Sequence, residues 1–407
     1  MSASAALPGG ETASPQSGWR IFLVFLRLGL TSFGGPVAHF GYFREELVAR
    51  RRWLDEGSYA DLIALCQFLP GPASSQVGFA IGLLKGGARG AFLAWAGFTL
   101  PSAVALTLFG YGVRGYGNLL AAGMLHGLQV VAVAVVAQAV WNMGRTLAPD
   151  RPRMTIAVLS SLLVLAWPGS LSQICAILLG GGVGWRLFAA PPASESEYRA
   201  VGIRRPVALI CLALFFLLLA ALPLAAGLSA SHGLQLVDRF YRSGALVFGG
   251  GHVVLPLLQS AVVPPGWIGN EAFLAGYGAA QAVPGPLFTF AAYLGTVMTP
   301  APDGWLGALL CLFAIYLPTF LLVLGAVPFW NYARRHPALR SALVGVNAAV
   351  VGLLLAALYR PGWTSAITSP RDFMLMLLAF LLLAFWRVPP WLVVVLAAIG
   401  GSLLAAH

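Results

Sequence analysis

Long stretches without a charged side chain constrain this sequence more than any other feature. A membrane-crossing helix needs about 20 consecutive apolar residues, and five longer stretches contain no Asp, Glu, Lys or Arg: 91–113, 115–144, 154–185, 206–236 and 272–302. Hydrophobic residues make up 59% of the chain and charged residues 9%, against about 25% charged residues in a soluble domain. The sequence therefore predicts an all-α polytopic membrane protein with about 11–13 transmembrane segments.

The few charged residues are mostly basic and occupy short loops. The chain carries 24 Lys and Arg against 13 Asp and Glu, for a net charge of +11. Arginines cluster at 50–52, 145–153, 199–205 and 334–340, which is the distribution expected of loops kept on the cytoplasmic side of a membrane. This placement indicates contact with a lipid bilayer and no nucleic-acid partner, and it favours anions as ligands.

The sequence shows none of the motifs that indicate an enzyme or a bound cofactor. It contains no P-loop and no HExxH motif, so we predict no catalytic residue, no cofactor and no metal site. The four cysteines lie in apolar segments without a CxxC motif and are expected to pack as small buried side chains. Residues 1–18 contain no Lys or Arg; they lack the basic start of a signal peptide and are expected to form a disordered tail.

Two Pro-Gly-Pro triplets reveal an internal repeat. The first stands in "QFLPGP" at 67–72 and the second in "QAVPGP" at 281–286. Other landmarks recur in the same order: "SFGGP" with "VFGGG", "GAFLAWAGFTLPS" with "GALLCLFAIYLPT", and "LHGLQ" with "LVGVN". We therefore predict an N-terminal half, 19–189, and a homologous C-terminal half, 231–407. Residues 190–230 join them through a polar linker and one apolar helix that has no counterpart.

The additional helix bears on how the two halves are oriented. If the arms beside each triplet form one crossing, each half has six crossings and the additional helix inverts the second half. If the arms re-enter the membrane instead, each half has five crossings and the halves are parallel. Residues 36–57 carry four arginines, whereas their counterpart, 252–270, carries no Lys or Arg. This contrast favours opposite placement, and so an inverted repeat.

Each triplet breaks a helix inside the membrane. Proline removes a helical hydrogen bond at a cost of about 3 kcal/mol, glycine permits the turn, and a second proline suits the start of the next helix. The N–H groups that follow such a break are unpaired and attract anions, so two breaks in a repeat predict one anion site on a pseudo-twofold axis. The predicted broken-helix motifs are Phe33, Gly34, Gly35, Pro36, Pro70, Gly71, Pro72, Phe248, Gly249, Gly250, Gly251, Pro284, Gly285 and Pro286.

Polar side chains near the breaks are the candidates for substrate binding. A guanidinium matches two oxygens of an oxyanion, amides and hydroxyls donate hydrogen bonds, and a protonated imidazole can bind an anion or relay protons. The alternatives are that the arginines reach the membrane interface and that the hydroxyls cap helices. Asp61, Glu271 and Asp238 lie near predicted helix ends and are expected to be interfacial. The predicted substrate-binding residues are Arg27, Arg242, Gln67, Gln281, Ser74, Ser75, Thr289, His39 and His252.

About 150 residues of the two halves carry long and specific motifs. The stretch from "LRLGLTSFGGPVAHF" to "GFTLPS" resembles the first half of the chromate ion transporter family, and the stretch from "GALVFGGGHVVLPLL" to "AVPGPLFTFAAYLG" resembles its second half. The resemblance is to the long-chain form of the family, with both domains on one polypeptide. It implies oppositely oriented halves and export of chromate from the bacterial cytoplasm across the cytoplasmic membrane, which confers chromate resistance.

The broken helices and the resemblance together predict secondary active efflux of chromate, with sulfate as a competing anion. Two alternatives stay open: a transporter of sulfate, of another anion or of a small solute, and a membrane-embedded scaffold or enzyme. A homodimer is left open as the assembly.

Overall fold

The computed structural model describes residues 16–116, 122–190, 203–248, 250–333 and 335–405. Within these residues every regular element is a helix, and five helices are long and apolar enough to cross a membrane. The predicted all-α polytopic fold is confirmed. Gly249 and residues 1–15 of the predicted tail lie outside the described residues.

The N-terminal half is built from helices α1 to α7, at Gly18–Thr31, Gly35–Phe43, Glu56–Phe68, Ala73–Tyr116, Ala122–Leu147, Arg151–Ala166 and Ser170–Leu187. Helix α2 continues as a π-helical stretch, Arg44–Arg50. Helix α4 is interrupted by non-helical backbone at Gly86 and Gly87, where it folds back so that Gly82 packs against Gly90. Helix α8, Arg205–Leu228, connects the two halves.

The C-terminal half repeats this order in helices α9 to α18, at His232–Ala245, Val254–Val262, Asn270–Ala280, Phe290–Val297, Gly304–Ala326, Trp330–Ala333, Pro337–Ala357, Thr364–Ala366, Pro370–Ala384 and Pro390–Ala405. Short 3-10 turns, Gly251–Val253 and Leu287–Thr289, precede α10 and α12. From the recurring motifs, α9 corresponds to α1, α13 to the second part of α4, α15 to α5, and α17 and α18 to α6 and α7.

In the second half, the arms beside the Pro-Gly-Pro turn form a hairpin. The Tyr293 hydroxyl of α12 donates to the carbonyl of Ala272 in α11 at 2.8 Å. The backbone N–H of Thr299, after α12, donates to the carbonyl of Trp267, before α11, at 3.0 Å. The outer ends of the two arms therefore lie together, with the triplet at the tip. Of the two paths that the sequence leaves open, the chain takes the re-entrant one here.

The FGG motifs form the tips of a second kind of hairpin. In the first half, Phe25 of α1 packs against Phe43 of α2 with ring centroids 5.8 Å apart, and the two residues stand equally far from Gly34 along the chain. In the second half, His232 at the start of α9 contacts Trp267 after α10, with ring centroids 4.5 Å apart. The chain therefore turns back at each FGG motif as well, so each of these arms re-enters.

The two halves are inverted relative to each other. Helix α17 runs parallel to α5, because His126 Nε2 lies 2.7 Å from Asp372 Oδ1 and Gln138 Nε2 donates to the Leu383 carbonyl at 2.9 Å. The short segment 358–369 joins α15 to α17, so α15 runs opposite to α17 and hence opposite to its own counterpart, α5. The predicted inversion is confirmed. One re-entrant hairpin per half would leave five crossings and make the halves parallel. Because the FGG arms re-enter as well, the number of crossings per half stays even, and the additional helix inverts the second half.

Each half packs its last helices onto the other half. Helices α6 and α7 pack against α15, and α17 and α18 pack against α5. At corresponding places, Gly184 of α7 lies against Gly345 of α15, and Gly401 of α18 lies against Gly127 of α5. Small residues allow helices in a membrane to approach closely. The reciprocity of the two contacts is what a twofold relation between the halves produces.

Candidate functional site

The tips of the hairpins meet inside the protein. The backbone N–H of Gly71 donates to the carbonyl of Val247 at 2.7 Å, and the backbone N–H of Gly285 donates to the carbonyl of Ser32 at 2.9 Å. Each bond joins the Pro-Gly-Pro tip of one half to the FGG tip of the other half. We call residues 32–36, 70–76, 247–248, 250–251 and 284–290 the four-tip junction.

The junction lies beside the middle of two long helices. A Cβ added at Gly71 would come within 3.1 Å of Thr319 Oγ1 in α13, and one added at Gly285 would come within 2.9 Å of Ser102 Oγ in α4. Both glycines have positive φ, 129° and 103°, a region that side chains other than glycine's disfavour. The tips therefore sit at mid-depth, where inverted repeats place their binding sites, and glycine is required at both.

The first Pro-Gly-Pro tip starts a long helix. Helix α4 begins at Ala73, directly after Pro72, so the N–H groups of its first turn have no helical partner. Ser74 and Ser75 in that turn are 3% and 1% exposed. The Ser75 hydroxyl lies 3.4 Å from the hydroxyl of Tyr316, which belongs to the other half. Helix α4 thus presents two buried hydroxyls in the turn that follows the break.

Other hydrogen bonds at the tips are internal. Gln76 Nε2 donates to the Pro70 carbonyl at 2.7 Å, which holds the first tip in shape. In the second half, Thr289 Oγ1 donates to the Pro286 carbonyl at 2.7 Å. The Thr289 hydroxyl therefore caps its own turn. Capping of this kind was the alternative to substrate binding that the sequence left open for these hydroxyls.

Several polar atoms around the junction are buried without a partner. They are Ser32 Oγ, Gln76 Oε1, Thr319 Oγ1 and Gln281 Nε2, none of which has a hydrogen-bond partner in the described parts of the chain. An unsatisfied buried group costs about 1–3 kcal/mol, so a cluster of them indicates a place where a ligand or water supplies the missing partners. Gln76, Tyr316 and Thr319 are not among the residues predicted from the sequence, although Tyr316 and Thr319 stand in a repeated motif that ends in "LPT".

Both predicted histidines lie in the hairpin arms next to the junction. His39 is 1% exposed and its ring stands edge-on to Phe98 with centroids 5.3 Å apart. His252 Nδ1 lies 2.8 Å from the Tyr277 hydroxyl, and the neighbouring Gly251 approaches Pro36 of the other FGG tip. The two FGG tips thus meet each other as well as the Pro-Gly-Pro tips.

Three predicted residues are not brought to the junction. Gln67 is exposed, and Arg27 is exposed on α1, where its charge acts on the buried carboxylate of Glu46. Arg242 forms an ion pair with Asp238, with Nε 2.8 Å from Oδ1. In the described residues, neither guanidinium hydrogen-bonds to the junction.

Asp61 and Asp238 are buried inside the protein, at 2% and 3% exposed, and their depth in the membrane stays a prediction. For Asp238 the reason for the burial is twofold. Arg242 neutralises its charge, and α8 covers α9, with the Tyr241 hydroxyl donating to the Phe215 carbonyl at 2.9 Å. Helix α8 has no counterpart in the first half, so the repeat alone cannot show this burial.

Comparison with known proteins gives a consistent match over both halves. The sequence model of the chromate transporter family matches residues 19–185 and 234–402. A probable chromate transport protein of Synechococcus elongatus is 28% identical over 384 residues, which cover 93% of each chain. Chromate transport proteins of Cupriavidus metallidurans and Pseudomonas aeruginosa are 25% and 29% identical over 94% and 84% of this chain, and over 92% and 80% of their own. No solved structure matches this chain.

Proposed function

The chain belongs to the chromate transporter family, a family of transport proteins rather than enzymes, and on that premise we propose that it exports chromate across the bacterial cytoplasmic membrane by a secondary active mechanism. The names of its relatives support chromate as the substrate. The observation that carries the proposal is the reciprocal pair of bonds, Gly71 to Val247 and Gly285 to Ser32, which gathers four broken-helix tips from inverted halves at one buried place.

The chemistry of the four-tip junction suits an oxyanion. Its four segments contain no Asp, Glu, Lys or Arg, so no carboxylate repels an anion there and no fixed cation traps it. What the segments offer are hydroxyls and the N–H groups at the start of α4, and a helix N-terminus favours negative charge. A tetrahedral dianion can bind such donors from several sides and can leave again, as transport requires.

The arrangement of the hairpins supports alternating access. Because the halves are inverted, the hairpins of one half are anchored at one membrane surface and those of the other half at the opposite surface. Rocking of one half against the other about the junction would open the site to one side at a time. The segment beside the first-half hairpins carries Arg44 and Arg50–Arg52, which supports a cytoplasmic location for it. Positive charge there would attract anions to that entrance.

The membrane potential is the proposed driving force. A negative interior expels anions, and one charge crossing 100 mV is worth about 2.3 kcal/mol. A dianion therefore gains about 4.6 kcal/mol per 100 mV, enough for a gradient of roughly three decades at about 1.4 kcal/mol per decade. The export of chromate by this route would confer resistance on the cell.

Uptake of radiolabelled chromate by everted membrane vesicles tests this function. Vesicles from cells that express the protein should accumulate chromate above vesicles from empty-vector cells, and sulfate in excess should reduce that uptake. Equal accumulation in the two preparations, with folded protein present in the first, would overturn the proposal of chromate export. Unchanged uptake in the presence of sulfate would remove sulfate as a competitor while leaving the export of chromate in place.

A further inference from the structure

The two Pro-Gly-Pro tips are not chemically equivalent, although the repeat makes them equivalent in the fold. After the first triplet come Ser74, Ser75 and Gln76. At the corresponding positions after the second triplet stand Phe288, Thr289 and Phe290. One tip is therefore lined by polar side chains and the other by two buried aromatic rings.

The helix that each tip faces increases this difference. The first tip faces α13, where Thr319 Oγ1 is buried without a partner in the described part of the chain and stands at the place that a Cβ of Gly71 would approach. One turn earlier in the same helix, the Tyr316 hydroxyl reaches to 3.4 Å from Ser75 Oγ. Both Tyr316 and Thr319 are fully buried, so their hydroxyls can form hydrogen bonds only with groups inside the protein.

The second tip faces α4, where the corresponding residues are Thr99 and Ser102. Ser102 Oγ donates to the carbonyl of Thr99 at 3.1 Å, and Thr289 Oγ1 donates to the carbonyl of Pro286. These two hydroxyl protons are already used within the protein. Thr99 Oγ1, Ser32 Oγ and Gln281 Nε2 are also buried on this side without a partner among the described residues, so free polar groups are not confined to the first tip. The second triplet is followed by a three-residue 3-10 turn, Leu287–Thr289, with the ring of Phe288, whereas the first is followed by the long helix α4. A helix N-terminus favours an anion, and the first tip provides the longer helix.

We infer that the transported oxyanion binds at the first Pro-Gly-Pro tip alone, between the first turn of α4 and the hydroxyls of Tyr316 and Thr319, and not on the pseudo-twofold axis. The inference rests on the proposed function and adds to it where the anion sits and which residues recognise it. Two independent features point to this place: the N-terminus of α4, a helix that begins at Ala73, and the unpartnered hydroxyl of Thr319, which is 0% exposed and directed at the tip.

The inference assigns different parts to the residues of the first tip. Thr319, Tyr316 and Ser75 donate hydrogen bonds to the anion, since a hydroxyl can turn its proton toward it. Gln76 is a positioning residue, because its Nε2 is held by the Pro70 carbonyl and its free Oε1 is an acceptor, which an anion does not bind. The second tip holds the inverted half in register through the bond from Gly285 to Ser32.

Matched hydroxyl deletions in the two halves test the inference. Thr319→Val and Ser102→Ala remove corresponding hydroxyls, and Tyr316→Phe removes a second donor at the first tip with little change in shape. The readouts are equilibrium binding of radiolabelled chromate to the purified full-length protein and the KM for chromate in everted vesicles, with protein abundance and thermal midpoint measured alongside. We expect Thr319→Val and Tyr316→Phe each to weaken binding by about tenfold or more, the size of a lost hydrogen bond to a charged group. Ser102→Ala should stay within about twofold of the wild type.

The outcomes separate this inference from the proposed function. Chromate uptake by the wild type, with similar losses in Thr319→Val and Ser102→Ala, would overturn the inference and place the anion on the axis. A loss in Ser102→Ala alone would place it at the second tip. Absence of chromate binding and uptake in the folded wild type would overturn the proposed function itself. If Thr319→Val fails to fold, Tyr316→Phe decides, and wild-type affinity in that variant would contradict the inference.

Discussion

The backbone N–H of Gly71 donates a hydrogen bond to the carbonyl oxygen of Val247, 2.7 Å away in the other half of the chain. The corresponding bond from Gly285 to Ser32 is 2.9 Å long. Each bond joins the Pro-Gly-Pro tip of one half to the FGG tip of the other half. If the broken helix of one half moves, either the FGG tip of the other half moves with it or the hydrogen bond breaks. The pair of bonds therefore couples the two halves at the place where we propose that the anion binds.

The first prediction concerns the backbone at this tip. In Gly71→Ala, the alanine would have to adopt a φ of 129°, which costs on the order of 1–3 kcal/mol, and its Cβ would crowd Gln76 Nε2 at 2.6 Å. We expect a lower thermal midpoint in detergent and a loss of chromate uptake per molecule. Gly112→Ala is the matched control, because a Cβ at Gly112 in α4 meets nothing within 4 Å. Equal behaviour of the two variants would show that the tip tolerates a side chain.

The second prediction concerns the orientation of the halves. Glu56 at the start of α3 and Glu271 at the start of α11 are both exposed, and their places in the repeat differ by one residue. In a variant whose four native cysteines are replaced, Glu271→Cys should react with a membrane-impermeant maleimide in intact cells. Glu56→Cys should react only after permeabilisation, because we expect the arginines near it to be on the cytoplasmic side. Labelling of both cysteines from the same side would contradict the inversion.

The third prediction concerns the ion pair between Asp238 and Arg242. Asp238 is 3% exposed, so Arg242→Gln leaves a buried carboxylate without its partner, at a cost of about 3–5 kcal/mol. We expect low protein abundance in this variant and restored abundance in the double variant Asp238→Asn/Arg242→Gln. Immunoblots of membranes give the measurement. A double variant as scarce as the single one would show that Arg242 has a role other than neutralising Asp238.

The fourth prediction concerns Arg27, the counterpart of Arg242 in the first half. Its guanidinium makes no ion pair or hydrogen bond among the described residues, and the side chain is exposed, so Arg27→Gln should not lower abundance. If Arg27 carries substrate charge, this variant loses chromate uptake, and Arg27→Lys raises KM because the planar fork is lost. Arg20→Gln, on the exposed first turn of the same helix, is the control. Wild-type uptake by Arg27→Gln at normal abundance would exclude Arg27 from the substrate path.

The repeat, the broken helices and the inversion could be predicted from the sequence. A Pro-Gly-Pro triplet breaks a helix wherever it stands, and four arginines in residues 36–57 against none in residues 252–270 indicate opposite sides of the membrane. The turn at the FGG motif could not. Residues after Gly35 form a helix whether they cross or return, and the return is decided by packing such as that of Phe25 on Phe43. The number of crossings therefore depends on tertiary contacts that composition does not contain.

The candidate site was predicted only in part for a similar reason. Ser74 and Ser75 are at the junction because they follow the break directly in the chain. Thr319 and Tyr316 come from a helix about 240 residues away, and only the crossing of the halves brings them to Gly71. The repeat predicted that Arg242 lies at the junction. Instead, Arg242 forms an ion pair with Asp238, four residues before it on the same helix. The counterpart of Asp238 in the first half is Leu23.

The most direct test of the account is chromate efflux from proteoliposomes that contain the purified protein and no other. Radiolabelled chromate is trapped inside, and a potassium gradient with valinomycin sets the interior negative, zero or positive. The account predicts efflux that is fastest with a negative interior, slowest with a positive one, and unchanged by nigericin when no potential is imposed. Efflux equal to that of protein-free liposomes at every potential would contradict the central claim that this chain carries chromate, and efflux that follows the pH gradient instead would contradict the proposed driving force.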